Sequence, residues 1–390
     1  MVEIHGDVTP GFGAVADAFA ENFARHGEVG AGVAIYLDGH PVVELWGGSD
    51  AVRARPFTED SLVVVQSATK GATATCLALL VQRGLLDPDA PVAAYWPEFG
   101  QAGKQDIPVR WVLGHLAGLP DVDPSAGLRG LATMTGPALV DALAGAEPWW
   151  VPGTAWAYHA TTFGTLAGEL VRRVTGTSIG QFLATEIAAP LGLDFWIGLP
   201  ERHHHRVAPA GPPAGAGGPD LAAVEPGTVR HRIAQAALAS FAAFHAATDP
   251  ADPRAWRAYL AAEIPAAGGV TNARSLARMY AATVSEVDGV RLLTDATVDR
   301  ARAPQTDGVA NVGLFGAQFR YGWGFQLPSP TMPGLTARSF GHPGAGGHLG
   351  FADPQHRVGF GYVCTSPRWP GADSDPRWLN LLAALRAALA

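Results

Sequence analysis

Apolar residues fall at helical spacing over 15–26, predicting an amphipathic helix near the N-terminus. The pattern then shortens to two strand-like runs, 32–37 and 41–46, joined by the hairpin pair Asp38-Gly39. A brief β-branched run at 62–65 stops at Gln66-Ser67. From Ala68 to Arg83 the chain reads as a helix that is apolar almost all round, which predicts a buried one, with Gly84 as its C-cap. Helical spacing dominates from about Asp87 to Pro265, broken by Pro/Gly-rich connectors. The densest of these lies within 203–228 and predicts a surface excursion. Strand-like runs return at 321–327, 347–353 and 358–364, and 378–389 predicts a closing helix. Strands at both ends with helices between predict an α/β (α+β) fold. Residues 1–86 plus 266–390 would form one α/β domain, with 87–265 as an inserted, mainly helical domain.

Composition narrows the function. Of 390 residues, 48% are hydrophobic and 16% charged, enough apolar material for a large core. The net charge of −8 and the lack of a dense basic run argue against nucleic acid as a partner. No apolar run approaches the ~18–20 residues a membrane span needs. The N-terminus shows neither a basic nor an apolar signal region, so a cytoplasmic protein is expected. Cys76 and Cys364 are too few for a disulfide framework or a cysteine zinc site, and neither metal nor cofactor is expected. The only lysines are Lys70 and Lys104, the other 25 basic residues being arginine. A lysine kept in so arginine-rich a chain points to a task that requires losing a proton.

Lys70 sits in the sharpest chemical pattern, Ser67-Ala68-Thr69-Lys70. A serine and a lysine three apart at a helix N-terminus face the same side, one turn removed. The helix dipole favours a developing alkoxide or oxyanion there, and a lysine inside an apolar helix loses solvation, so its pKa falls and it can act as a base.

Ser-x-x-Lys after a β-hairpin resembles the serine β-lactamase and penicillin-binding-protein superfamily, in its class C-like branch, and most closely the family VIII carboxylesterases. Other segments agree in order and spacing over 32–365: 109–120, containing His115-Leu116-Ala117-Gly118; 150–160, whose Tyr158 stands where the family has its catalytic tyrosine; 264–271; Gly341-His342-Pro343-Gly344-Ala345; and 351–354. The resemblance implies a β-lactamase-like fold, an antiparallel sheet flanked by helices, and Ser67 as nucleophile, with Lys70 and Tyr158 taking up its proton. It also implies an oxyanion site between the backbone N–H groups of Ser67 and Ala345, beside Gly344 and His342. Contacts to substrate are expected from Trp150, His159 and Trp323. Ala160 replaces the asparagine of the usual Tyr-x-Asn, and His342 replaces the lysine that would bind a β-lactam carboxylate. Both departures disfavour a penicillin-type substrate and leave acyl transfer intact.

The expected activity is therefore hydrolysis of small or medium carboxylic esters through an acyl-serine, with a small-molecule ester as substrate, neither nucleic acid nor membrane as partner, and an oligomeric state the sequence leaves open. An acyltransferase using an alcohol or amine acceptor is the alternative within the same chemistry. A β-lactamase or D-amino-acid peptidase ranks below both, and a silent binding or scaffold homologue is the non-enzyme alternative. Three other features are set aside. Gly176-Thr-Ser-Ile-Gly180 mimics a hydrolase nucleophile elbow but follows a predicted helix, not a strand. His203-His204-His205 lacks supporting ligands. His115 is expected to be structural.

Overall fold

The computed structural model describes residues 2–211, 220–314, 319–330, 332, 334–368 and 374–390. Most of the Pro/Gly-rich excursion, 212–219, lies outside them. A six-stranded antiparallel sheet runs in the order β1 (Ile4–Val8), β3 (His40–Gly48), β2 (Gly30–Leu37), β11 (Val358–Cys364), β10 (His348–Asp353), β9 (Phe340–Gly344). Strands from the two ends of the chain thus meet at the β2–β11 pairing, where Val33 lies opposite Tyr362 and Ile35 opposite Phe360.

The period-two alternation of these strands sorts side chains into two cores. Val33, Ile35, Phe351, Phe360 and Tyr362 face one layer with Phe19 and Leu381, supplied by the helices Gly13–Arg25 and Pro376–Leu389. Ala34, Tyr36 and Val363 face the other, under the helix Ala273–Val284. That helix lies almost on the sheet: a Cβ at Gly359 or Gly361 would stand 2.4 Å from the carbonyl oxygen of Ala277 or Ala273.

Residues 87–265 are largely helical but contribute two short strands. Phe195–Ile197 (β6) joins Val63–Val64 (β4) and Gly269–Thr271 (β7) in a three-stranded sheet, and Ala155–Trp156 (β5) pairs with Ala310–Asn311 (β8). The run 321–327, read above as a strand, folds back on itself instead. Gly324 has φ +76° and the Gly322 N–H bonds the Phe325 carbonyl, so only isolated bridges remain. Among the described residues no helix is long and apolar enough to cross a membrane.

The helix Thr69–Gln82 is buried along its length from Thr69 to Val81, as its all-round apolar pattern requires. Gly71 admits a neighbour: a Cβ there would lie 1.8 Å from Tyr280 Oη, on the helix that covers the sheet. Gly71→Ala is therefore expected to destabilise the fold by about 1–3 kcal/mol despite alanine's better helix propensity, measured by urea unfolding.

Candidate active site

Strand pairing builds the site. β4 pairs with β7, and the Val65 N–H bonds the Gly269 carbonyl at 2.9 Å. The chain then turns sharply at Gln66, whose φ of +51° is unusual for a residue with a side chain. Thr69 locks that turn, its hydroxyl donating to the Gln66 carbonyl at 2.6 Å and accepting from the Gly269 N–H at 2.8 Å. Ser67 emerges partly exposed at the mouth of the buried helix.

Lys70, 0% exposed, points back under it. Its Nζ lies 2.7 Å from the Ala160 carbonyl, 2.9 Å from the Ala266 carbonyl and 3.3 Å from Ser67 Oγ. Burial alone holds its pKa well below the ordinary lysine value. The Tyr158 ring lies 4.8 Å from Nζ, and its hydroxyl is hydrogen-bonded to Ser67. Burial pushes the Tyr158 pKa up, with the Ser67 bond opposing the shift. Ser67, Lys70 and Tyr158 thus form one cluster.

Aromatic rings wall it in. Tyr321 stacks on Tyr158 at 5.8 Å, and His115 meets Tyr158 at 5.0 Å and Tyr321 at 4.6 Å. His115 accepts the His159 N–H on Nδ1, and burial holds its pKa well down, so it enters the site as a neutral ring. The His342 ring is 6.0 Å from Tyr158, with Nδ1 bonded to the Pro343 carbonyl and its pKa lowered to about 3, chiefly by burial. Gly344, the last residue of β9, approaches the segment that leads into Ser67 so closely that a Cβ would stand 2.1 Å from the Val65 carbonyl oxygen.

The three expected substrate contacts divide. Trp150 is partly exposed, its indole N–H bonded to the Ala155 carbonyl and its ring edge-on to His159. His159 is buried with both ring nitrogens committed, Nε2 accepting from the Leu119 N–H and Nδ1 facing the Ala157 carbonyl at 2.6 Å. It ties two site loops together and offers no free nitrogen to a substrate. Trp323 is buried in the main core, with the Arg300 guanidinium 5.3 Å over its ring. The motif reading missed Thr69 as part of the site. It also missed the acceptors of Lys70, because backbone carbonyls carry no side-chain signature.

The features set aside have local explanations. Ser178 N-caps the helix Ile179–Leu183 in a capping box and donates to Glu263, while Gly176 ends the preceding helix with φ +75°. His203 packs on Trp196, and His204 Nε2 faces the Leu199 carbonyl. Among the described residues no group of three His, Cys, Asp or Glu is placed to hold a metal ion.

Lys104, also 0% exposed, donates to the Ala144 and Ala146 carbonyls where the helix Pro137–Gly145 ends, and burial brings its pKa to about 8. It caps a helix. Lys104→Met is expected to cost about 1–3 kcal/mol by stranding two buried carbonyls, while kcat per folded molecule stays at the wild-type value.

The Beta-lactamase family model matches residues 15–385. Esterase/beta-lactamase LipL of Mycobacterium tuberculosis (strain ATCC 25618 / H37Rv) is 37% identical over 362 residues, spanning 90% of this chain and 80% of LipL. The crystal structure of a family VIII carboxylesterase superimposes with a TM-score of 0.82 at 36% identity, covering 99% of this chain and all of that one. EstA from Arthrobacter nitroguajacolicus Rue61a gives 0.83 at 35% identity, covering 98% and 97%.

Proposed function

The chain belongs to the beta-lactamase family and is a serine ester hydrolase of that fold, and from this premise we propose how its residues divide the work. One observation carries the reading. A neutral lysine amine has two hydrogens and one lone pair. Two carbonyls lie 2.7 and 2.9 Å from Lys70 Nζ and absorb both hydrogens, which leaves the lone pair for its third neighbour, Ser67 Oγ. Burial holds the Lys70 pKa well below the ordinary lysine value and so favours that neutral form.

Ser67 Oγ attacks the ester carbonyl as its proton passes to Lys70, and the tetrahedral oxygen is held by the N–H groups of Ser67 and Ala345. Tyr158, bonded to Ser67 and stacked against Lys70, relays the proton to the departing alkoxide. The same pair then takes a proton from the water that attacks the acyl-serine, and acid is released with Ser67 restored. Lys70 and Tyr158 act as one coupled unit.

The substrate we infer is an uncharged small or medium carboxylic ester. At the position where a lysine would attract a β-lactam carboxylate, His342 is neutral, buried and turned onto a carbonyl. The two buried free thiols, Cys76 and Cys364, suit a reducing compartment such as the cytoplasm.

The test combines p-nitrophenyl esters from acetate to octanoate, nitrocefin in parallel, and a fluorophosphonate label mapped by peptide mass spectrometry. Ester turnover with the label on Ser67 and little nitrocefin cleavage is expected. Label on another residue would overturn the assignment. Formation of a new ester when an alcohol is added would place the enzyme among acyltransferases.

A further inference from the structure

Among the described residues, a cluster of fully buried charges lies outside the Ser67 cluster and grips the turn that carries Ala345. Glu28 and Arg377 come from opposite ends of the chain, and Asp375 N-caps the helix Pro376–Leu389. The side chains of Glu28 and Arg377 are 0% exposed, as are those of Arg377 and Asp375 in their own pair. All five guanidinium hydrogens of Arg377 find acceptors: Nε and Nη2 on Asp375, Nη1 on Glu28 at 2.8 Å and the Ser366 carbonyl at 2.9 Å, and Nη2 on the Gly346 carbonyl at 3.0 Å. The Gly346 carbonyl also accepts the Arg368 N–H at 3.0 Å, and the Trp378 indole N–H bonds the Gly347 carbonyl at 2.6 Å.

These bonds fix a turn. The Gly347 N–H donates to the Gly344 carbonyl at 3.1 Å, with Gly346 at φ +92° and Gly347 at φ +118°. The approach of Arg377 is close enough that a Cβ on Gly347 would lie 2.1 Å from its Nη2. Every peptide bond in the described chain is trans, so a carbonyl and the next N–H point opposite ways. With the Gly344 carbonyl turned into the turn, the Ala345 N–H must face out of it, at the end of the strand that abuts Val65. A buried ion pair adds little stability over well-packed apolar residues, so such a cluster calls for another explanation.

We infer that Glu28, Arg377, Asp375 and Trp378 are positioning residues for the oxyanion site: they clamp the Gly346 and Gly347 carbonyls and thereby aim the Ala345 N–H at the tetrahedral oxygen formed on Ser67. The inference rests on the assignment of Ser67 and Ala345 above. None of the four touches substrate. They act through the geometry of one peptide plane, so their effect falls on the transition state and spares ground-state binding.

The experiment uses Trp378→Phe, which removes the indole N–H and keeps an aromatic ring of smaller size, and Arg377→Lys, which keeps the charge and loses the fork. Each variant is assayed for kcat and KM on a p-nitrophenyl ester, for the Ki of phenylboronic acid, and for melting temperature. The boronate forms a tetrahedral adduct on serine with an oxygen in the oxyanion site, so its affinity reports that geometry directly. We expect kcat to fall about tenfold in Trp378→Phe and about a hundredfold in Arg377→Lys, KM to move less than threefold, and the boronate Ki to rise by a factor similar to the loss in kcat/KM. A purely structural role would lower the melting temperature or the active fraction and leave Ki unchanged in the folded enzyme.

Folded variants with kcat and boronate Ki within twofold of wild type would overturn the inference, as would a loss of kcat with unchanged Ki. Should Arg377→Lys fail to fold, Trp378→Phe decides alone. Fluorophosphonate labelling of wild-type Ser67 separates the two levels: no label defeats the Ser67 assignment, whereas a label with indifferent variants defeats only the clamp.

Discussion

Ser67→Ala is expected to lower kcat on p-nitrophenyl esters by on the order of 10⁴-fold or more, with the melting temperature nearly unchanged. The effect is large because the hydroxyl is the only atom of the cluster placed to form the acyl-enzyme. Lys70, 0% exposed, has no path to the substrate carbonyl, and Tyr158 is held by its bond to Ser67. The effect on stability is small because Ser67 is partly exposed and its side chain supports neither the turn, which Thr69 locks, nor the helix. Some acceleration over water survives in such a variant, from oxyanion donors acting on a bound ester. Initial rates of both proteins on one ester series measure the difference. Equal rates would refute the nucleophile.

Lys70→Arg is expected to reduce kcat/KM by about 10³-fold or more, and to do so at every pH from 6 to 9. A guanidinium cannot surrender its proton in this range, so the substitution keeps a cation and removes the base. In the wild type, burial holds the Lys70 pKa well below its ordinary value of 10.5. The neutral amine therefore persists below pH 10.5 down to that depressed pKa, and kcat/KM should fall as the pH drops through it. Stability carries the same sign. Protons bind the unfolded lysine more readily than the buried one, so the fold loses stability as pH falls from 10.5 toward the depressed pKa. Lys70→Met removes the titration without adding a charge. It should show the same loss of activity with a flatter dependence of melting temperature on pH. An acid limb of kcat/KM that survives in Lys70→Arg, or near wild-type turnover by that variant, would show that the base is elsewhere.

The Ser67–Lys70 pair was legible because a three-residue spacing on an all-apolar helix admits few geometries: the lysine had to be buried, and its neighbour one turn back had to be the serine. Tyr158 was legible only through the surrounding block, since a lone tyrosine between alanine and histidine looks like any packing residue. The expectation for His159 failed on tautomer and direction. Its neighbours in sequence are site residues, but its two nitrogens are taken by the Leu119 N–H and the Ala157 carbonyl, partners that only the fold brings together. The run 321–327 misled because its aromatic residues have strand propensity, while Gly322 and Gly324 permit the reversal the structure adopts. Lysine scarcity carried a different message from the one expected. Lys104 is as buried as Lys70, and each aims its amine at two backbone carbonyls. A compact ammonium or amine suits that pocket, where a planar fork would not, and catalysis is one use of the pocket among others.

The pairing of β2 with β11 also sets an order of manufacture. A ribosome releases Ser67, Lys70 and Tyr158 early, but the sheet that supports their neighbour strand β9 cannot be zipped until β10 and β11 have followed it out. The hairpin of β2 and β3 must meanwhile wait with an uncovered edge for a partner from the far end of the message, and contacts of such long sequence separation form slowly. Ser67 is therefore made long before Ala345, the residue whose peptide group is proposed to complete its oxyanion site. On the proposed oxyanion site, activity waits for the segment that runs through β11, and a chain that stops short of it is expected to be inert.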